Sequence, residues 1–254
     1  MWLLYAAMRT ANPALRESVF TNAAPGVRGD VMTVNGTVNR TGFLILLVMV
    51  AAWYSWSKAA PQPGGAVTGH PLIFAGAIGG FIVALITIFK KNLAPITAPI
   101  YAVLEGLFLG GLSAMFEARF PGIAVQAIFG TFGVMGALLL AYRTGLIKAT
   151  ENFKLGVFAA TGGIALLYLV SLVMGFFGKS IPFIHSTGAF GIGFSVFVVI
   201  IAALNLVLDF DFIEKGEEVG APKYMEWYAA FGLLVTLVWL YVEMLRLLSK
   251  LRSR

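Results

Sequence analysis

Cysteine is absent and charge is scarce. With no cysteine among 254 residues, the chain has no disulfide framework, no thiolate metal site and no cysteine nucleophile. Charged residues make up only 12% of it, roughly half the share of a soluble domain, which excludes an ordinary water-soluble globule. Histidine occurs twice, at His70 and His185, both in expected loops, so no H-E-x-x-H zinc helix can form. A phosphate-binding loop is missing as well. These absences point away from an enzyme and from any bound cofactor.

What is present is apolar. Hydrophobic residues make up 59% of the chain. They fall into seven runs, at about 41–57, 71–89, 96–117, 122–142, 155–177, 188–210 and 226–248, each near the ~20 residues that cross a bilayer core. Pro61, Pro63, Gly64, Pro95, Pro121, Pro182, Gly220 and Pro222 punctuate the connections. The expected fold is all-α, a polytopic integral membrane protein with a seven-transmembrane-helix bundle at 41–248. Residues 1–40 read as a flexible basic cytoplasmic tail and 249–254 as a short basic one. The apolar stretch Trp2 to Met8 is too short for a signal-peptide core, and Met8 is the expected natural start because Arg9 opens an ordinary polar tail. The triplets at Asn35 and Asn39 fit the glycosylation pattern, which matters only in a secretory lumen. A net charge of +6 suits the anionic headgroups of the lipid bilayer, and its spread over loops and tails implies no nucleic acid.

With the amino terminus inside, the inner segments hold eleven Lys and Arg residues against seven outside, which favours a cytoplasmic amino terminus. The basic carboxyl-terminal end then lies outside, unless a re-entrant segment makes the span count even. Glycines crowd the apolar runs. Gly76 with Gly80 and Gly106 with Gly110 make G-x-x-x-G pairs, expected to pack helices closely within the chain. Trp53, Trp56, Tyr142, Trp227 and Tyr228 lie near predicted helix ends as interface anchors.

The carboxylates are the chemistry-bearing residues. Ionisable groups in membrane-length helices are costly and are functional candidates by default. On a helix turning ~100° per residue, Gly191, Ser195, Ala202, Asn205 and Asp209 share one small, polar stripe. Asp211 is about 200° round from Asp209, so Asp209 is the candidate site residue and Asp211 a candidate for an interface or a cap. Glu105 lies about ten residues into the third run, near the midplane. It is either protonated and hydrogen-bonded between helices, or a proton- or cation-sensitive gate. Glu226, at the start of the seventh run, is either a third carboxylate converging with Asp209 and Asp211 or a first-turn residue favoured by the helix dipole. Close carboxylates share a proton or bind a cation such as Ca²⁺. Glu214, Glu217 and Glu218 read as a solvated acidic loop, and Glu243 with Arg246 as an i,i+3 pair. Gly193, Phe194 and Ser195 begin the G-x-S-G of rhomboid proteases, but Val196 breaks it. The seventh run has no lysine for a retinal Schiff base.

The third-run stretch from Glu105 to Glu117 (EGLFLGGLSAMFE), the sixth-run end from Leu204 to Gly216 (LNLVLDFDFIEKG) and the closing segment from Tyr224 to Arg252 resemble the Bax inhibitor 1 family, with the closest likeness to its bacterial branch. The resemblance implies a helical bundle in a bacterial inner membrane, with a pH-sensitive calcium leak controlled by an aspartate pair in the last two helices. Asp209 matches the first aspartate. Where the second is expected the chain has apolar residues and Thr236, so Glu105 or Glu226 is the expected substitute. Some bacterial relatives are instead associated with restraining a membrane-bound ATP-dependent protease, which implies a non-conducting regulator as the alternative.

Overall fold

The computed structural model describes residues 31–59, 71–179, 186 and 188–253. The expectations for Trp2 to Met8, the first tail residues, His70, His185 and the prolines at 61, 63 and 182 lie outside the described residues. Among the described residues there are seven α-helices: α1 (Val34–Ala59), α2 (Pro71–Phe89), α3 (Ala94–Arg119), α4 (Ile123–Arg143), α5 (Glu151–Phe176), α6 (Ala189–Glu218) and α7 (Met225–Arg252). All seven are long and apolar enough to cross a membrane. Among the described residues the extended pairing is one antiparallel bridge, Val31 with Pro222. The fold is all-α, as the hydropathy pattern predicts.

Helix ends depart from the apolar runs because polar side chains, invisible to hydropathy, complete them. The first helix starts at Val34 rather than near residue 41. Thr33 Oγ1 accepts from the Gly36 amide and Glu217 accepts from the Val34 amide, so two of the orphan donors of the first turn are satisfied. Thr37 and Thr41 return their hydroxyls to the carbonyls one turn back. Asn35 and Asn39 therefore sit inside α1. At α5, Thr150 caps the amide of Phe153 and Glu151 occupies the first turn. Pro95 stands in the first turn of α3, where its missing N–H costs nothing. Gly122, at φ +82, makes the turn into α4, and Glu117 accepts from the Gly122 and Ala124 amides there. The sixth helix does not end near residue 210. It runs to Glu218, so Glu214, Glu217 and Glu218 are exposed on its last turns rather than in a loop. Gly220, at φ +65, then reverses the chain.

The chain divides into two compact units. The first takes the described part of Ser18–Gln126 with Phe212–Val235. In it α1, α2 and α3 meet backbone to backbone through glycine. A Cβ on Gly106 would stand 2.5 Å from the Val48 carbonyl oxygen, one on Gly76 2.6 Å from that of Leu104, and one on Gly110 would overlap the Ala52 carbonyl. The glycine pairs thus serve packing inside the chain, as expected. Tyr101 meets Phe231 edge-on at 4.9 Å, beside a fully buried Tyr228. Tyr228 is a core residue and not the interface anchor its position suggests, because its helix turns it inward, whereas Trp53 is 74% exposed on the lipid side.

The second unit takes Ala127–Asp211 with the described part of Thr236–Arg254. Gly130 of α4 leaves room for Met244 of α7. Ile164 of α5 packs with Val198 and Ile201 of α6, covered by Leu204 and Trp239. The opposite face of α5 presents Leu166, Leu169, Leu172 and Phe176, all exposed. In water such a surface is a liability; in hydrocarbon it is the solvated face.

Candidate functional site

The α6 stripe is real and it is buried. Gly191, Ser195, Ala202, Asn205 and Asp209 lie on one unbroken helix. Ser195 is 1% exposed, Asn205 2%, Ala202 and Asp209 0%. From Gly191 to Asp209 the stripe rises about 27 Å, close to the ~30 Å of a bilayer core. Buried Ser195, Asn205 and Asp209 therefore recur along this length, with buried Val198 and Ala202 between the first two. Asn205 Nδ2 donates to Thr161 Oγ1 at 2.9 Å and to the Ile201 carbonyl at 2.8 Å. At the Gly191 end, Lys250 Nζ of α7 donates to Ser195 Oγ at 2.8 Å and to the Gly191 carbonyl at 3.0 Å.

Interhelical hydrogen bonds in membranes stabilise little, about 0.6 kcal/mol on average and about 1.7 at most. Asn205→Leu, which removes the bond to Thr161, is accordingly expected to cost under about 2 kcal/mol in equilibrium unfolding from mixed micelles. A much larger loss would make Asn205 a structural keystone instead of a stripe-lining residue.

Each sequence-predicted carboxylate has its own setting. Asp209 is wholly buried. Asp211, turned away from it, pairs with Lys154 of α5 at 3.0 Å, and that ammonium also meets Glu151 at 3.3 Å. Asp211 is thus an interface residue, the role its angle predicts. Glu226 is fully buried and ion-paired to Arg40 at 3.0 Å and Lys223 at 2.8 Å. It also accepts from the Thr33 amide and hydroxyl, and Gly36 approaches so closely that a Cβ there would overlap its carboxylate. Arg40 lies 4.9 Å over the Trp227 ring. This is a clasp between the start of α1 and the start of α7. Glu105, 8% exposed on α3, fits against α2 because Gly80 lacks a side chain; a Cβ there would stand 2.9 Å from its Oε2. Tyr101, one turn earlier, is within electrostatic reach of it.

A fourth buried carboxylate reads in the sequence only as half of an edge pair. Glu243, 1% exposed, takes Arg246 at 2.8 Å and the Tyr168 hydroxyl at 3.0 Å. Arg246 in turn donates to that hydroxyl at 2.7 Å and covers the Tyr168 ring at 5.1 Å. Sequence reasoning missed Lys154, Tyr168 and Lys250 as partners. Thr236, standing where the family resemblance places a second aspartate, is 3% exposed. Among the described residues no group of three or more His, Cys, Asp or Glu is placed to hold a metal ion.

Comparison with known proteins bears on the family of the chain. No curated protein matches the chain. The family model described as Bax inhibitor 1 like matches residues 12–253, which includes every described helix and every carboxylate discussed above. This seven-helix membrane protein therefore belongs to the Bax inhibitor 1-like family.

Proposed function

We propose that the chain is a cation leak channel, with Ca²⁺ as a permeant ion, whose path follows the α6 stripe and is gated at Asp209. The observation that carries this reading is the stripe itself: serine, asparagine and aspartate, each almost fully buried, on one face of a membrane helix over about 21 Å of a bilayer core of about 30 Å. A buried aspartate in a spanning helix is costly to keep unless it does something. Its oxygens are ligands of the kind Ca²⁺ takes. Protonating it removes the charge that attracts a cation, so flux responds to pH. Asn205 lines the path, Glu105 is a second proton-sensitive carboxylate, and Asp211 and Glu226 are held by Lys154 and by Arg40 with Lys223. The protein resides in a plasma membrane, on this reading a bacterial one, with its amino terminus in the cytoplasm.

The test is Ca²⁺ efflux from dye-loaded proteoliposomes across about pH 5 to 8. Wild type is expected to leak in a pH-dependent manner, Asp209→Asn to flatten that dependence, and Glu105→Gln to alter it less. No flux above empty vesicles from correctly oriented protein would defeat the leak reading and leave the rival, a non-conducting regulator of a membrane-bound ATP-dependent protease. Deleting residues 9–30 then tests that rival. The deletion spares Thr33 and Arg40 of the Glu226 clasp, so loss of partner binding would report on the arm and not on an unfolded bundle.

A further inference from the structure

Lysines near the end of a membrane helix ordinarily snorkel outward, stem along the apolar surface and ammonium in water. Lys250 does the opposite. It is 6% exposed, two residues before the last residue of α7, while its neighbour Leu251 is 47% exposed. Its ammonium turns inward, across to α6, and takes the Ser195 hydroxyl and the Gly191 carbonyl. These are the terminal members of the stripe, at the opposite end from Asp209. Its own helix favours a cation there, because Lys250 lies in the last turn of α7, where the dipole is negative. Gly191 lies in the first turn of α6, where the dipole is positive. Glu243, a carboxylate within electrostatic reach, is engaged by Arg246, which also repels Lys250. The ammonium held there satisfies the terminal oxygens of the stripe.

We infer that Lys250 is a resident cation plug: its ammonium occupies the oxygen ligands at the distal end of the α6 stripe and excludes metal cations until it swings out. This deepens the leak reading and rests on it. Hydroxyl and carbonyl oxygens are the ligand types that Ca²⁺ requires, and the ammonium takes those ligands while repelling the ion. The repulsion is strong because charges act at short range through a low effective dielectric along the stripe. Lys250 is therefore a selectivity and gating residue, distinct in place and in sign from Asp209.

The absence of cysteine makes the test direct. Lys250→Met is expected to raise Ca²⁺ efflux from proteoliposomes at least about tenfold, a modest demand on the removal of one elementary charge from a desolvated path. Lys250→Arg is expected to stay near wild type. Lys250→Cys should leak like Lys250→Met until treated with aminoethyl methanethiosulfonate. The thiolate then displaces methanesulfinate to form a disulfide-linked ethylammonium close to lysine in length, and the leak should close. The uncharged methyl methanethiosulfonate should leave it open. Adding Asp209→Asn to Lys250→Met should alter the raised flux and its pH dependence.

If wild type leaks and responds to Asp209→Asn but Lys250→Met equals wild type, the plug is overturned and the leak reading survives. If neither wild type nor Lys250→Met conducts at any pH, the leak reading falls and the plug with it. A raised flux that ignores Asp209→Asn, passes the dye itself, or is closed equally by the neutral reagent signals a disrupted bundle and overturns the plug.

Discussion

Gly110→Leu is expected to lower stability by about 3 kcal/mol or more, beyond the usual cost of overpacking a core. Overpacking costs least when the obstacle is the tip of a flexible side chain. Here a Cβ on α3 would overlap the carbonyl oxygen, carbonyl carbon and Cα of Ala52, which are α1 backbone. Gly106, one turn earlier, meets Val48 backbone in the same way, so α1 cannot tilt about one contact to relieve the other. The whole helix must retreat, and with it the close dispersion contacts that hold membrane helices together where no hydrophobic drive operates. The control is Gly162→Leu on α5, where a Cβ would find nothing within 4 Å; replacing glycine in a helix interior there should be neutral or gain up to about 1 kcal/mol. Equilibrium unfolding in mixed micelles separates the two. Equal losses would mean that glycine content, not the α1 and α3 approach, governs stability.

Arg246→Met is expected to be the other severe substitution, costing less than the range of about 3–5 kcal/mol for breaking a fully buried pair, because Arg246 is itself 37% exposed while Glu243 is buried. Glu243 is 1% exposed and would keep only the Tyr168 hydroxyl as a direct partner among the interactions described above. Lys250 lies within electrostatic reach of Glu243 but is committed to α6, so its compensation is partial. The sharper expectation is one of sign. Removing both charges together, Glu243→Met with Arg246→Met, should cost less than Arg246→Met alone, because no desolvated charge is left behind. The residual cost is that of a Tyr168 hydroxyl without its partners, about 1–3 kcal/mol. A double variant that is less stable than the single one would show that the pair stabilises outright.

The spans and their order are legible in the sequence because hydropathy reports exposure to lipid directly, and lipid faces most of α2 and α5. The stripe on α6 is legible for a related reason: serine, asparagine and aspartate at one angular position of an apolar helix have no lipid-compatible explanation. What the sequence conceals lies where a polar group leaves its own helix. Lys154 stands near the start of an apolar run and reads as a loop charge, yet it meets Asp211, far along the chain. Lys250 sits in a basic tail-like segment, and nothing local distinguishes the lysine that turns inward from the exposed Arg252 beside it. The helix ends are hidden similarly. Thr33, Glu217 and Glu226 extend α1 into residues that composition assigns to a tail, through bonds to amides and cations that pattern reading cannot pair. Tyr228 reads as an anchor because depth along a helix says nothing of the direction a side chain faces.

The Glu226 clasp has a mechanical consequence. The Met32 amide donates to the Ala221 carbonyl at 2.6 Å, Val34 is tied to Glu217, and Thr33 and Arg40 grip Glu226. A short run of backbone is thus fastened at several successive points to the turn between α6 and α7. Tension on the amino-terminal arm would not be absorbed as slack in a tether. It would load the end of the helix that carries Asp209 and the beginning of the helix that carries Lys250, in shear across parallel bonds that yield together and not one by one. Whatever takes hold of the arm, a protein or a charged membrane surface, pulls on the turn between α6 and α7.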